Sequence, residues 1–160
     1  MTIVSDSSPL IALLSIDRIN ILEQLFGSIL IPLTVYDEVF GSPLGCNTLL
    51  PDFIVVTNPP SATSVRFLRL NLHAGESEAI ALALEKSINK IILDDKQARE
   101  TAARLGIHVI GTIGLLMLAK EKGYITSIRP LIIQMMNRIN FRIAPSVLNR
   151  VLTTLKEPII

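Results

Sequence analysis

HAGESEAIALALEKSINKIILDDKQARETAARLGIHVIGTIGLLMLAKEKG, residues 73–123, changes hydrophobic period repeatedly along its length. HAGESEAIALALEKS has the 3.6-residue apolar repeat of a helix, and KIILD is a short buried strand. DKQARETAARLG is a second helix stopped by Gly106, HVIG a second strand, and TIGLLMLAKEKG a third helix. Helices and short strands alternating through short links are the signature of parallel βαβ units covered on both faces. The predicted fold is a three-layer α/β/α sandwich.

The residues before this stretch continue the pattern. Thr2 to Asp6 reads as a β-branched strand, and SDSSP follows, where Ser7 or Ser8 is placed to cap a helix with Pro9 at its first position. That helix runs through Leu13 and Leu14, pauses near Ser15 to Asp17, and resumes through Leu22 and Phe26 until Gly27. SILIP is a second strand, and Thr34 is placed to cap the brief helix VYDEVF. GSPLGCNTLLPD has the Gly, Pro and Asn content of a loop, and FIVVT reads as a further strand. After residue 127 two helical patterns remain, RPLIIQMMNRI and APSVLNRVLTTL.

At 160 residues the chain fits one domain, residues 1–160. It is 49% apolar with a mean hydropathy of +0.51, yet it has no run of roughly 18 apolar residues of the kind a membrane span needs. The apolar excess is therefore core or subunit interface. MTIVSDSSPL lacks the features of a signal peptide, and a lone Cys46 has no internal disulfide partner, so a cytoplasmic protein is expected. The net charge is +1, but residues 1–119 are net −4 and residues 120–160 net +5. A polyanion would be held mainly by the last quarter.

Ligands of open parallel sheets bind beyond the carboxyl ends of the strands. Asp6 closes the first strand and the Asp94-Asp95 pair closes a later one. Neighbouring strands lie about 4.8 Å apart, so adjacency would bring these acids to one rim. Glu76 or Glu78 could join them from the helix preceding KIILD. Helical angles place Glu76 nearer the apolar stripe of Ile80 and Leu84, which makes it the inward candidate. Asp37 and Glu38 sit at similar angles from the apolar centre of their helix, so periodicity leaves that choice open.

Taken singly, most of these acids have ordinary jobs. Asp95 can cap a helix, Glu76 can complement a helix N-terminus, and Asp37, Glu38 and Glu78 can be solvated. Asp6 and Asp94 are harder to explain, because each interrupts an apolar strand. Converging carboxylates repel one another, and a divalent cation reverses that sign. Oxygen ligands select Mg²⁺ or Mn²⁺, while the two His and single Cys are too few and scattered for zinc. Such a site activates water and orients a phosphodiester.

With those residues in place, VSDSSPLIALLSIDRINILEQLFGSILIPLTVYDEV, GESEAIALALE, IILDDKQAR and VIGTIGLLMLAKEKG, in that order, resemble the PIN-domain family of metal-dependent ribonucleases. That family includes VapC-like ribonuclease toxins. The closer likeness is to a compact branch of predicted PIN-like nucleic-acid-binding proteins of bacteria and archaea. The resemblance runs from about Ile3 to the C-terminus. It implies a parallel sheet of four or five strands and a site built from Asp6, Glu38, Glu76 and Asp94, with Asp95 as a further metal ligand. The resemblance also chooses Glu38 over Asp37. It implies Mg²⁺ or Mn²⁺ as cofactor, RNA as substrate, a homodimer, and a small cognate antitoxin as partner of a type II toxin. The third acid here is Glu where the better-studied toxins carry Asp, and Ser7-Ser8-Pro9 follows the first.

Ser7, Arg99 and Thr112 are the candidate nucleic-acid contacts. Their ordinary alternatives are helix capping for Ser7 and Thr112, and pairing with Asp95 one turn away for Arg99. His73 and His108 have no partner at ligand spacing. Lys120, Lys122, Arg129, Arg138 and Arg142 are too dispersed to define a patch. The expected activity is metal-dependent hydrolysis of RNA phosphodiesters. The alternatives are a catalytically inactive PIN-like nucleic-acid-binding or regulatory module and, more weakly, a phospho-acceptor receiver-like domain. The last is disfavoured because the aspartate pair closes a late strand and no lysine ends the last one.

Overall fold

A computed structural model describes residues 1–41 and 49–160. Residues 42–48, with Cys46 and most of the expected loop, lie outside the described residues. Five parallel strands form one sheet: β1 (Thr2–Ser5), β2 (Ser28–Pro32), β3 (Ile54–Thr57), β4 (Lys90–Ile92) and β5 (His108–Ile110), in spatial order β3-β2-β1-β4-β5. The chain steps outward from β1 to β3, then crosses back to β4 on the other side of β1. That reversal puts the topological switch point between β1 and β4, where Ser5 pairs with Ile92.

Alternation along each strand builds the three layers, because successive side chains point to opposite faces. Ile3, Ile29, Ile31 and Ile92 join one core with helices α1 (Ser7–Ser15), α2 (Ile21–Phe26), α7 (Thr112–Glu121), α8 (Arg129–Ile139) and α9 (Pro145–Thr154). Val4, Ile91 and Leu93 join the opposite core with α5 (Ala74–Glu85) and α6 (Lys96–Arg104). Two short helices, α3 (Leu33–Val39) and α4 (Ala62–Leu68), complete the described residues. Each fully buried Ile contributes about 1.5–3 kcal/mol. A one-residue slip of β1 would exchange Ile3 and Val4 between cores, so the register is tightly specified.

The helix boundaries differ from the sequence reading at three places. Asp6 itself, not Ser7 or Ser8, is the cap residue of α1, and its extended backbone (φ −82°, ψ 173°) turns strand directly into helix. Pro9 therefore falls third in α1. Pro32 takes the capping position of α3, so Thr34 lies inside that helix. Gly111 precedes α7, leaving Thr112 as its first residue. In each case the helix starts one or two residues earlier than expected, because the backbone is already extended at the strand end. The pause between α1 and α2 falls at Ile16–Asn20, and Gly27 ends α2 with φ +79°.

The C-terminal segment is clasped by one side chain. Glu157 accepts hydrogen bonds from Ser127 Oγ (2.6 Å) and from the Ile128 and Arg129 N–H groups (3.0 and 2.9 Å), and it pairs with Lys120. It thus supplies, from the far end of the chain, the acceptors that the N-terminus of α8 lacks locally. These donors bring its carboxyl down to about 2 against the opposing effect of burial. A group with a depressed folded pKa stabilises the fold above its ordinary value near 4.5, and that stabilisation is lost as pH falls through about 2. Glu157→Ala is expected to cost about 2 kcal/mol at neutral pH, read by chemical denaturation. The deficit should shrink as the pH is lowered toward 2; a constant deficit would show that the carboxylate charge is not what matters.

Candidate functional site

Asp6 is held by the sheet at the switch point. Its N–H donates to Ile92 O (3.1 Å) across the β1/β4 seam, and its residue is only 2% exposed. Ser7 Oγ donates to Asp6 Oδ1 over a long 3.4 Å. Facing it is the first turn of α5, where Gly75 has no side chain. A Cβ built there would lie 3.1 Å from Asp6 Oδ1 and 2.9 and 3.1 Å from the two Glu38 oxygens. Asp6 and Glu38 therefore open on one small space, bounded by the Gly75 backbone, that any larger residue would fill. Asp37 turns elsewhere, with its Oδ1 near Gly41. Of the two acids that helical angles left open, Glu38 is the one whose carboxylate shares this space with Asp6.

Glu76 is nearly buried, and its Oε2 accepts from the His73 N–H (3.1 Å) at the start of α5. Glu78 instead lines a separate groove with Arg66 and Arg69. Asp94 lies past the end of β4 and is gripped by a single residue: Oδ1 accepts from the Thr112 N–H (2.7 Å) and Oδ2 from the Thr112 hydroxyl (2.5 Å). Thr112 is wholly buried, so its polar groups are spent on Asp94. Asp95 Oδ1 accepts from Ala98 N–H (2.9 Å) and caps α6. Arg99 does not pair with Asp95; its Nη1 donates to Leu93 O (3.0 Å). Bare Gly111 leaves room that Arg99 Nη1 and Asp94 Oδ1 each border.

Two of these carboxyls are raised by their surroundings. Burial pushes the Asp6 carboxyl up to about 7 against the Ser7 N–H, and the charges of Glu76 and Glu38 raise it further. Glu76 is raised as well, first by burial and then by Asp95 and Glu38, with the His73 N–H opposing. Among the described residues no three His, Cys, Asp or Glu side chains converge closely enough to hold one ion. The convergent pair is Asp6 with Glu38. That donor set fits Mg²⁺ or Mn²⁺, because Mg²⁺ commonly binds through one or two carboxylates and keeps several waters.

Gly75 escaped the sequence reading, although a glycine in a strong helical pattern is itself a signal of close approach. The grip of Thr112 on Asp94 needed the three-dimensional pairing of β4 with β5.

The raised Asp6 carboxyl has a stability consequence in the metal-free protein. The native state holds the proton more tightly than the unfolded chain, so stability falls as pH rises from about 4 to about 7, by up to about 4 kcal/mol. Asp6→Asn is expected to raise the melting temperature of metal-free protein near pH 8 and to change it little near pH 4. An equal effect at both pH values would refute the burial argument.

No curated protein and no solved structure gives a match to the chain. The family model described as DUF3368, a PIN domain, matches residues 2–157, from the first strand to the Glu157 clasp. The all-parallel five-stranded sheet covered by helices on both faces agrees with that match, and the chain belongs to the PIN-domain family.

Proposed function

We propose that the protein is a Mg²⁺- or Mn²⁺-dependent endoribonuclease. The observation that carries this reading is the space shared by Asp6 and Glu38 under Gly75 at the carboxyl end of β1. PIN domains are generally metal-dependent nucleases that act on nucleic acid. A divalent cation bound there supplies Lewis acidity and a water of lowered pKa for attack on a phosphodiester. Asp6 and Glu38, which border the shared space, would hold the cation. Glu76, fixed by the His73 N–H, and Asp95, at the head of α6, would add negative charge around it. Asp94 is held by Thr112 beside them, where it completes the negative rim and keeps the start of α7 in place. Ser7, hydrogen-bonded to Asp6, steadies the carboxylate orientation.

The biological role we propose is that of the toxin in a type II toxin-antitoxin pair. This extends the nuclease reading through the likeness to VapC-like proteins, and it brings with it a homodimer, a small antitoxin and a cytoplasmic setting. No helix among the described residues is long and apolar enough to cross a membrane.

A second reading is favoured by one observation: among the described residues no third carboxylate joins Asp6 and Glu38 closely enough to hold an ion. On that reading the protein binds nucleic acid without cutting it.

RNA cleavage with and without Mn²⁺ separates the two. The parent is expected to cleave only with metal. Asp6→Asn should lose more than about a hundredfold in rate, since removing even outer-shell partners costs 10–100-fold. Gly75→Ala improves helix propensity by up to about 1 kcal/mol while filling the shared space, so it should keep the fold yet abolish the rise in melting temperature on adding Mn²⁺. Undiminished cleavage by folded Asp6→Asn would end the nuclease assignment. Binding of RNA without cleavage by the parent would establish the second reading.

A further inference from the structure

Two cavities meet beside the acidic residues. The first, of about 530 Å³, is bordered by Ser8, Ile11, Glu76 and Asp95. The second, of about 640 Å³, lies beyond β4 and β5 and has walls from Ile110, Ile113, Ile143 and Val147. Asp94, Phe141 and Arg142 border both. The second cavity differs in chemistry from the first: its walls are largely apolar, and its charged members include three cations, Lys96, Arg99 and Arg142.

The position of the divider is set by local backbone chemistry. Asn140 ends α8 in the left-handed conformation (φ 53°, ψ 39°), which Asn tolerates better than most residues. The Phe141 N–H then reaches back to Met135 O (3.3 Å). This closes the helix and delivers Phe141 and Arg142 to the mouth between the cavities. Phe141 is half-buried against the core, while Arg142 and Lys96 are exposed.

We propose that the second cavity receives an unpaired nucleobase of the RNA, with Phe141 as its stacking surface and Lys96, Arg99 and Arg142 meeting the phosphates on either side. The placement of the strand rests on the nuclease reading of the neighbouring acids. Three observations fit this ligand. The volume lies within the range of small-molecule sites. An aromatic ring beside cations is the pairing by which single strands are held, since every base has a face to stack and every nucleotide a charge to meet. Continuity through Asp94, Phe141 and Arg142 sets this cavity beside the one bordered by Glu76 and Asp95, so a strand with its base here passes the acidic side. A base within a duplex stays in its stack, so the substrate class is single-stranded RNA or an open loop.

Fluorescence anisotropy with a short labelled single-stranded RNA tests this, using proteins that all carry Asp6→Asn and contain no divalent metal. Phe141→Ala is expected to weaken binding on the order of tenfold, and Phe141→Tyr should restore it. Arg142→Glu, at an exposed position where folding is not at issue, should weaken binding and reduce the salt dependence by about one phosphate contact or more. A duplex of the same sequence should bind more weakly than the single strand. If Arg142→Glu and folded Phe141→Ala bind like the parent, if duplex binds as tightly, or if the parent binds no single strand, the assignment is overturned. In the last case the cavity would serve another partner, such as a protein segment. If the binding pattern holds while the metal-loaded parent cuts nothing, the base site stands and the nuclease reading alone fails.

Discussion

Burying a carboxyl group at the end of the central strand is the constraint around which this molecule is arranged. Asp6 sits where β1 and β4 part, with its backbone committed to the sheet through Ile92. Desolvation there favours the protonated form, and the charges of Glu76 and Glu38 add to the effect. A fold selected for stability alone would place an apolar residue at such a position. Retaining Asp6 makes sense when something positive completes the site. The missing side chain at Gly75 is the complementary half of the same arrangement, since the room it leaves is bounded by the oxygens of Asp6 and Glu38.

The two adjacent aspartates at the end of β4 divide their work. Asp94 faces β5 and α7 and is immobilised by both donors of Thr112; Asp95 faces forward and caps α6. Each carboxylate is hydrogen-bonded in its own direction, which offsets the cost of having them adjacent in sequence. Their separation also ties three elements, β4, α6 and α7, to one rim. Each Asp94 oxygen accepts one bond from Thr112 and keeps a further lone pair, so the grip orients the carboxylate without using up its acceptor capacity.

The layer architecture was legible because its signals are local. The short apolar runs that became β1 and β4 need no partner to be read as strands, and the helical periods between strands leave few topologies open. Asp6 and Asp94 were legible because each is a charged residue after an apolar run. What sequence did not disclose are pairings that depend on which strands are neighbours: Thr112 with Asp94, Gly75 with Glu38, Arg99 with the Leu93 carbonyl. The helix starts were displaced for a related reason. A strand end already in extended conformation lets the next helix begin at once, as at Asp6, where a cap would otherwise be sought among the serines downstream.

The uneven distribution of charge along the chain acquires its meaning in space. Within the basic last quarter, the chain folds back so that Arg142 stands at the same mouth as Glu76, Asp94 and Asp95. That return is fixed at its far end by Glu157, whose carboxylate satisfies the N-terminus of α8, and at its near end by the left-handed Asn140. Between those two points α8 is held against the core by Ile132 and Met135, so the position of Phe141 and Arg142 is a property of the packed fold rather than of a free tail. A cationic residue held beside an acidic site draws a polyanion toward carboxylates that would otherwise repel it. The Glu157 clasp, remote from the acids in sequence, therefore bears on the site through the helix it anchors.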